Sequence, residues 1–192
     1  MKKALFILIS LAVAAGLYAL ITGSAHDFSG DAWNAGGEIC QPCHTPHNAD
    51  VTVSLSPLWN HEVTTAAFTP YARATIQATD LGQPDGDSLL CLSCHDGSVA
   101  LDSFGGATGS TTIGGAYNVG TNLNNDHPVS FTYDAALVTA DGELNAPPAA
   151  YLDASGKVQC SSCHDVHNTA NIAGLLRISN AGSALCLTCH AK

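Results

Sequence analysis

The sequence is poor in almost everything that an ordinary binding or catalytic domain uses. Only 6 of 192 residues are Lys or Arg, and only 11% are charged. The six are Lys2, Lys3, Arg73, Lys157, Arg177 and Lys192. No basic stripe can be built from them, which excludes nucleic acid as a partner. Methionine occurs once, at Met1. No C-x-x-C pair is followed by lysine. Aromatic residues make up 6%. No glycine-rich stretch is followed by a lysine in the phosphate-loop pattern, so Gly105-Gly106 and Gly114-Gly115 read as loop.

Large apolar side chains are also scarcer than the 46% hydrophobic content implies, because the start of the chain inflates it. Lys2-Lys3 precedes a near-continuous apolar run from Ala4 to Ile21, and Gly23-Ser24-Ala25 offers small residues before His26. Residues 1–25 are expected to be a signal peptide, with a retained membrane anchor as the alternative. The protein is thus expected to be exported, to the periplasm or the cell exterior. Without those residues the net charge falls from −10 to about −12. A chain so acidic and so rich in Gly, Ala, Ser, Thr and Asn buries little apolar surface for its length. Something other than an ordinary core must hold residues 26–192 together.

What is present in abundance is cysteine in one arrangement. The eight cysteines form four C-x-x-C pairs: Cys40/Cys43, Cys91/Cys94, Cys160/Cys163 and Cys186/Cys189. Each pair is followed at once by histidine: His44, His95, His164 and His190. C-x-x-C-H is the attachment motif of c-type haem. Two thiols reach the two vinyl groups on one porphyrin edge, and the adjacent imidazole reaches the iron. Two Cys₄ zinc sites or four disulfides would also use eight cysteines. Neither requires the histidines, whose fourfold placement by chance has a probability on the order of 10⁻⁶. Four covalent haems would supply the missing core. The expected fold is mostly irregular, with short α-helices following the motifs, little β-structure, and the chain wrapped around a haem stack. The chain without haem is expected to be unfolded.

The second axial ligand decides between reaction at iron and electron transfer. Met1 leaves with the signal peptide, so His/Met ligation is excluded. Five histidines lie outside the motifs: His26, His47, His61, His127 and His167. His47 and His167 lie on the proximal side of their own motifs, so each is expected to ligate the iron of a different haem. His61 and His127 complete the expected distal set. His26 ranks last, as the first residue of a mature chain, where ends are usually mobile. Imidazole on both faces predicts low-spin, low-potential haem.

Two half-motifs recur: C-x-x-C-H-x-x-H-N at 40–48 and 160–168, and L-C-L-[ST]-C-H at 90–95 and 185–190. This predicts two two-haem modules, about 40–95 and 160–190, joined by a Gly/Asn-rich segment, 96–159. Pro147-Pro148 and Asn180-Ala181-Gly182-Ser183 predict irregular turns.

The stretch from Cys160 through Leu175-Leu176-Arg177 to His190, with CHTPHN (43–48), PLWNH (57–61) and NDHPVSFTY (125–133), resembles the multihaem c-type cytochromes built from doubled C-x-x-C-H modules. More narrowly, the chain is similar to the tetrahaem cytochromes that polymerise into extracellular nanowires in metal-respiring anaerobes. That resemblance implies stacked haems and one axial histidine crossing between subunits, here His47 or His26. It also implies a head-to-tail homopolymer exchanging electrons with other redox proteins or extracellular acceptors. Terminal haems at Cys40 and His190, each close to an end of the mature chain, agree with such contacts. A soluble periplasmic carrier shares the same features. An enzyme (a nitrite, hydroxylamine or tetrathionate reductase) would need an open iron position and anion-binding residues. A membrane-anchored quinol-side cytochrome would need residues 1–25 retained.

Overall fold

The computed structural model describes residues 21–54 and 56–192, so most of the expected signal peptide lies outside the described residues. Among the described residues no helix is long and apolar enough to cross a membrane. Most of the chain is irregular. The helices are α1 (Gly86–His95), α2 (Ala135–Asp141), α3 (Cys160–Cys163) and α4 (Ala184–Leu187), interspersed with single 3₁₀ turns. The strands β1 (Phe131–Thr132) and β2 (Lys157–Val158) pair antiparallel, Phe131 opposite Val158.

Local sequence explains each short element. In α2, the Asp134 side chain caps the first turn by accepting from Leu137 N, and Gly142 at φ +76° closes the last. In α1, Asp87 lies in the favourable first turn. The helix ends at Asp96-Gly97. Gly97 takes φ +75°, and a Cβ there would meet Asn118 Nδ2 at 2.5 Å. Glycine is therefore required for Asn118 to approach. Helices α1 and α3 carry C-x-x-C pairs and α4 carries Cys186, whereas short helices were expected to follow the motifs; the Cys40/Cys43 pair lies in a turn. Turn residues such as Asp96-Gly97, after α1, end the helices early.

Three small clusters stand in for one core. Val53, Trp59 and Leu90 form the first. Phe68, Leu92 and Leu123 form the second. Phe131, Tyr133, Leu137 and Val158 form the third, with Leu152 and Cys189 against it. Leu90 and Leu92 tie α1 to both of the first two clusters, so the second C-x-x-C-H motif is anchored on two sides.

The segment 104–125, expected as a flexible loop, is tied back to the residues before it by specific bonds. The Asp102 carboxylate accepts from Ser110 N and Thr111 N, and Leu101 N donates to Thr111 O. The expected turn at 180–183 is present as a 3₁₀ turn over Ala181–Ser183.

Candidate haem-attachment sites

All four C-x-x-C-H motifs adopt the same helical turn. His44 N donates to Cys40 O at 2.9 Å, His164 N to Cys160 O at 3.0 Å and His190 N to Cys186 O at 2.9 Å. Cys91 to His95 form the last turn of α1. One helical turn places the two thiols and the imidazole on one side of the backbone.

The imidazoles are aimed by backbone carbonyls. His44 Nδ1 lies 2.6 Å from Pro57 O. His95 Nδ1 lies 2.8 Å from Tyr117 O. His164 Nδ1 lies 2.8 Å from Gly174 O. His127 Nδ1 lies 2.9 Å from Pro128 O. Each contact fixes the tautomer with the proton on Nδ1, leaving the Nε2 lone pair for a metal.

Two of these carbonyls come from copies of one turn. Thr45 N donates to Leu58 O and Asn60 N to Cys43 O, just as Asp165 N donates to Leu175 O and Arg177 N to Cys163 O. His44 bridges Trp59 as His164 bridges Leu176. Pro57-Leu58-Trp59-Asn60 and Gly174-Leu175-Leu176-Arg177 are therefore structural equivalents. Sequence reasoning missed Pro57, Tyr117 and Gly174, because a carbonyl leaves no residue-type signature. The signal within reach was the Leu shared by PLWN and GLLR.

The structure brings non-motif histidines to face motif histidines. His44 and His167 have ring centroids 6.1 Å apart and planes 12° from parallel. His26 and His95 lie 6.1 Å apart. His127 and His190 lie 6.4 Å apart. A metal ion shared by two imidazoles, with bonds of about 2 Å to each, holds ring centroids roughly 6 Å apart. The three pairs thus have the spacing of axial ligands. His26 Nδ1 is buried without a hydrogen-bond partner. Burial, with His95, His164 and His167 nearby, pushes the His26 imidazole down to about 4, so it is neutral near pH 7.

His61, expected in the distal set, lies among backbone carbonyls. It is 2% exposed, with Nδ1 at 2.8 Å from Glu62 O and Nε2 at 3.0 Å from Ala100 O. Nε2 is also 3.5 Å from Cys94 Sγ. Both nitrogens face backbone carbonyls, and no motif imidazole stands opposite the ring. His26, ranked last from its position in the sequence, takes the place facing His95. The reason is local: Asn34 Nδ2 donates to Phe28 O and Glu38 O, and Phe28 packs on both His26 and Trp33. These contacts fold the segment after Ala25 into an ordered hook. His47 is exposed on the turn after His44, with its carbonyl accepting from Thr45 Oγ1 at 2.8 Å.

The thiols run in chain order. Cys94 is pushed up to about 12 by burial, with Cys43 and Asp96 adding to it. The neighbouring Cys160 and burial raise the Cys91 thiol, and Cys91 in turn lowers Cys160 to about 7. Cys160 and Cys186 raise Cys163, and Cys163 raises Cys189, after burial in each case. Thiols of successive motifs are thus close enough to influence one another electrostatically. All eight thiols are free, and among the described residues no three His, Cys, Asp or Glu side chains converge as a metal site. The cysteines are thus not gathered as two Cys₄ sites would require.

Exposed apolar side chains complete the fit. Leu58 follows the carbonyl on His44, Tyr117 bears the carbonyl on His95, Val166 precedes His167, and Leu187 lies inside the last motif; all are exposed. Large apolar groups exposed beside each imidazole pair suit the faces of a porphyrin.

Comparison with known families gives one match. Residues 154–192 fit the family described as the doubled CXXCH motif, covering Cys160 to His164 and Cys186 to His190. No curated protein matches the chain. The doubled motif points to a cytochrome that binds haem c covalently and transfers electrons.

Proposed function

We propose that this protein is an exported electron-transfer cytochrome, with four haem c groups wrapped by the chain and an imidazole on each face of every iron. The observation that carries the reading is the set of three facing imidazole pairs, His44–His167, His26–His95 and His127–His190, at 6.1–6.4 Å. The doubled motif of the C-terminal half supports it. When bound, each haem supplies one site that accepts and releases an electron.

The chain's residues would do the rest. The eight cysteines hold the four groups by thioethers. His44, His95, His164 and His190 bind from the motif side. His167, His26 and His127 bind from the opposite side at the first, second and fourth sites. By the symmetry of the repeat, His47 would serve the third, so that the first and third motifs exchange distal ligands. The carbonyls of Pro57, Tyr117 and Gly174 polarise their imidazoles, which makes them stronger donors and favours the oxidised metal. The acidic surroundings act in the same direction. With histidines of this chain holding each group from both sides, no substrate would reach the metal, and the chain's task would be to keep successive groups close.

The filament is the second reading. The resemblance draws one axial histidine from a neighbouring subunit, and His26 already has a partner within its own chain. The exposed His47 is then the residue available to cross between subunits. A single-chain carrier uses His47 internally; a filament uses it on the next copy.

Mass spectrometry and CO difference spectra of the haem-loaded protein test the main reading. Four attached haems and no CO binding by the reduced protein are expected. Fewer than four haems, or a CO-binding population, overturns it. Electron microscopy of the exported material separates filament from carrier.

A further inference from the structure

Gln159 is 1% exposed and directly precedes Cys160. Its side-chain amide uses its full hydrogen-bonding capacity. Oε1 accepts from Ser88 Oγ at 2.6 Å and from Ser130 Oγ at 3.0 Å. Nε2 donates to Asp85 Oδ1 at 3.0 Å and to Asp153 Oδ2 at 2.9 Å. Its backbone N donates to Ser162 Oγ at 2.9 Å. The same partners reach the motif itself. Cys160 N donates to Ser88 Oγ at 3.0 Å, and Ser161 Oγ donates to Asp87 Oδ2 at 2.6 Å. The Lys157 ammonium closes the network on Asp85.

Ser88 and Asp87 belong to α1, which carries Cys91, Cys94 and His95. Ser161 and Ser162 belong to α3, which carries Cys160 and Cys163. The network therefore joins the first turn of one motif helix to the first turn of the next, across the boundary between the two modules. Apolar packing does not do this. Leu90 and Leu92 of α1 pack on Trp59 and Phe68, and Val158, just before α3, packs on Phe131. The interface between the helices is polar and fully paired. A buried, satisfied polar network is directional: it fixes spacing and orientation where apolar surfaces could slide.

Resting on the haem reading above, we infer that Gln159 is a positioning residue for electron transfer across the module boundary. It holds the Cys91–His95 and Cys160–His164 turns in one rigid unit and so sets the coupling between the groups attached to them. Coupling between two such groups depends steeply on separation and angle, and a supporting shell must hold both to within about 0.5 Å.

The test is Gln159→Leu in the haem-loaded protein. It keeps the side-chain bulk and removes all four amide bonds. The readout is the Soret-region circular dichroism couplet, which reports the coupling between neighbouring haems, measured well below each protein's melting temperature. The variant should carry the same number of haems as the wild type by mass and lose roughly half or more of the couplet. Leu137→Ala, which makes none of the network's hydrogen bonds, should lower the melting temperature and leave the couplet intact. An unchanged couplet in Gln159→Leu overturns the inference. If Gln159→Leu fails to accumulate, Ser88→Ala decides on the same readout, because it removes one bond to Gln159 and the bond from Cys160 N. A wild-type protein with fewer than four haems would instead defeat the haem reading, independently of the couplet result.

Discussion

Leu58 and Leu175 occupy the same place in two copies of one turn, both with left-handed backbone, φ +55° and +54°. Each follows the residue whose carbonyl meets a motif histidine, Pro57 for His44 and Gly174 for His164. A non-glycine residue in this region is strained by about 1–2 kcal/mol. The strain persists at both copies because the turn aims the preceding carbonyl at the imidazole. Asn48 and Asn168, the last residues of the repeated C-x-x-C-H-x-x-H-N motif, share the left-handed conformation as well. Asparagine tolerates it better than most residues, which accounts for its place in both copies.

Leu58→Val tests the strained turn. A β-branched side chain fits the left-handed region worse than leucine, so the variant should lose about 1–2 kcal/mol. Leu58→Gly should retain more stability than Leu58→Val, since glycine carries no steric penalty there. Denaturant unfolding of the two haem-loaded variants against wild type measures both. Equal stability of the two variants would remove the steric account.

His26, half-buried, and His61, buried, should behave oppositely. His26→Ala should give one high-spin, CO-binding haem, seen by electron paramagnetic resonance and the CO difference spectrum. His61→Ala should leave every haem low-spin while lowering stability, because it removes the contacts to Glu62 O and Ala100 O. The reverse pattern would return the distal role to His61.

Most of this site could be read from spacing alone, and the exceptions share a cause. The Cys and motif His positions follow from four repeats of one short pattern, whose chemistry needs those side chains at that interval. The structure places His127 and His167 near His190 and His44. That His26 lies beside His95 and that His61 is buried among backbone carbonyls was not legible. It depends on the Asn34 bonds that fold the preceding segment and on the burial of His61 beside Trp59. The carbonyls of Pro57, Tyr117 and Gly174 were equally hidden, since any residue type could have carried them. The mostly irregular backbone with little β-structure was foreseeable from the scarcity of large apolar residues; that α1 and α3 contain C-x-x-C pairs rather than follow them was not.

Tyr133 links the middle of the chain to the last motif. Its hydroxyl lies 2.9 Å from Asn145 O and 3.0 Å from Cys189 O. Burial, with Cys189 and Asp141 adding, pushes its pKa up to about 12, so it stays a donor at neutral pH. Tyr133→Phe leaves Asn145 O without this donor, while Cys189 O keeps Asn145 N at 2.8 Å, and should cost about 1 kcal/mol. Thermal unfolding of the haem-loaded variant checks this, and an unchanged melting temperature would show the hydroxyl to be idle.

Acid should loosen the same region. Burial raises the Asp80 and Asp153 carboxyls. Hydrogen bonds from Thr132 to Asp80, and from Lys157 N and Gln159 to Asp153, outweigh it and hold both below the usual 3.8. A carboxyl depressed in the folded state contributes stability that is full above its unfolded pKa and is lost as pH falls through the folded value. The melting temperature should therefore be insensitive to these groups near neutrality and fall on acidification below about pH 4. Asp80→Asn should flatten that acid limb; a limb of unchanged steepness would assign it to other groups.

The placement of His44 opposite His167 bears on how the molecule is made. On the proposed pairing, the iron site begun near the start of the chain is sealed only when a residue close to its other end has been synthesised and has folded back. On that pairing, a chain that ends before His167 would carry a metal with one face bare, open to oxygen and peroxide. A late-arriving final ligand thus makes complete synthesis a condition for chemical safety, and a shortened chain would betray itself by the reactivity that the whole protein is built to suppress.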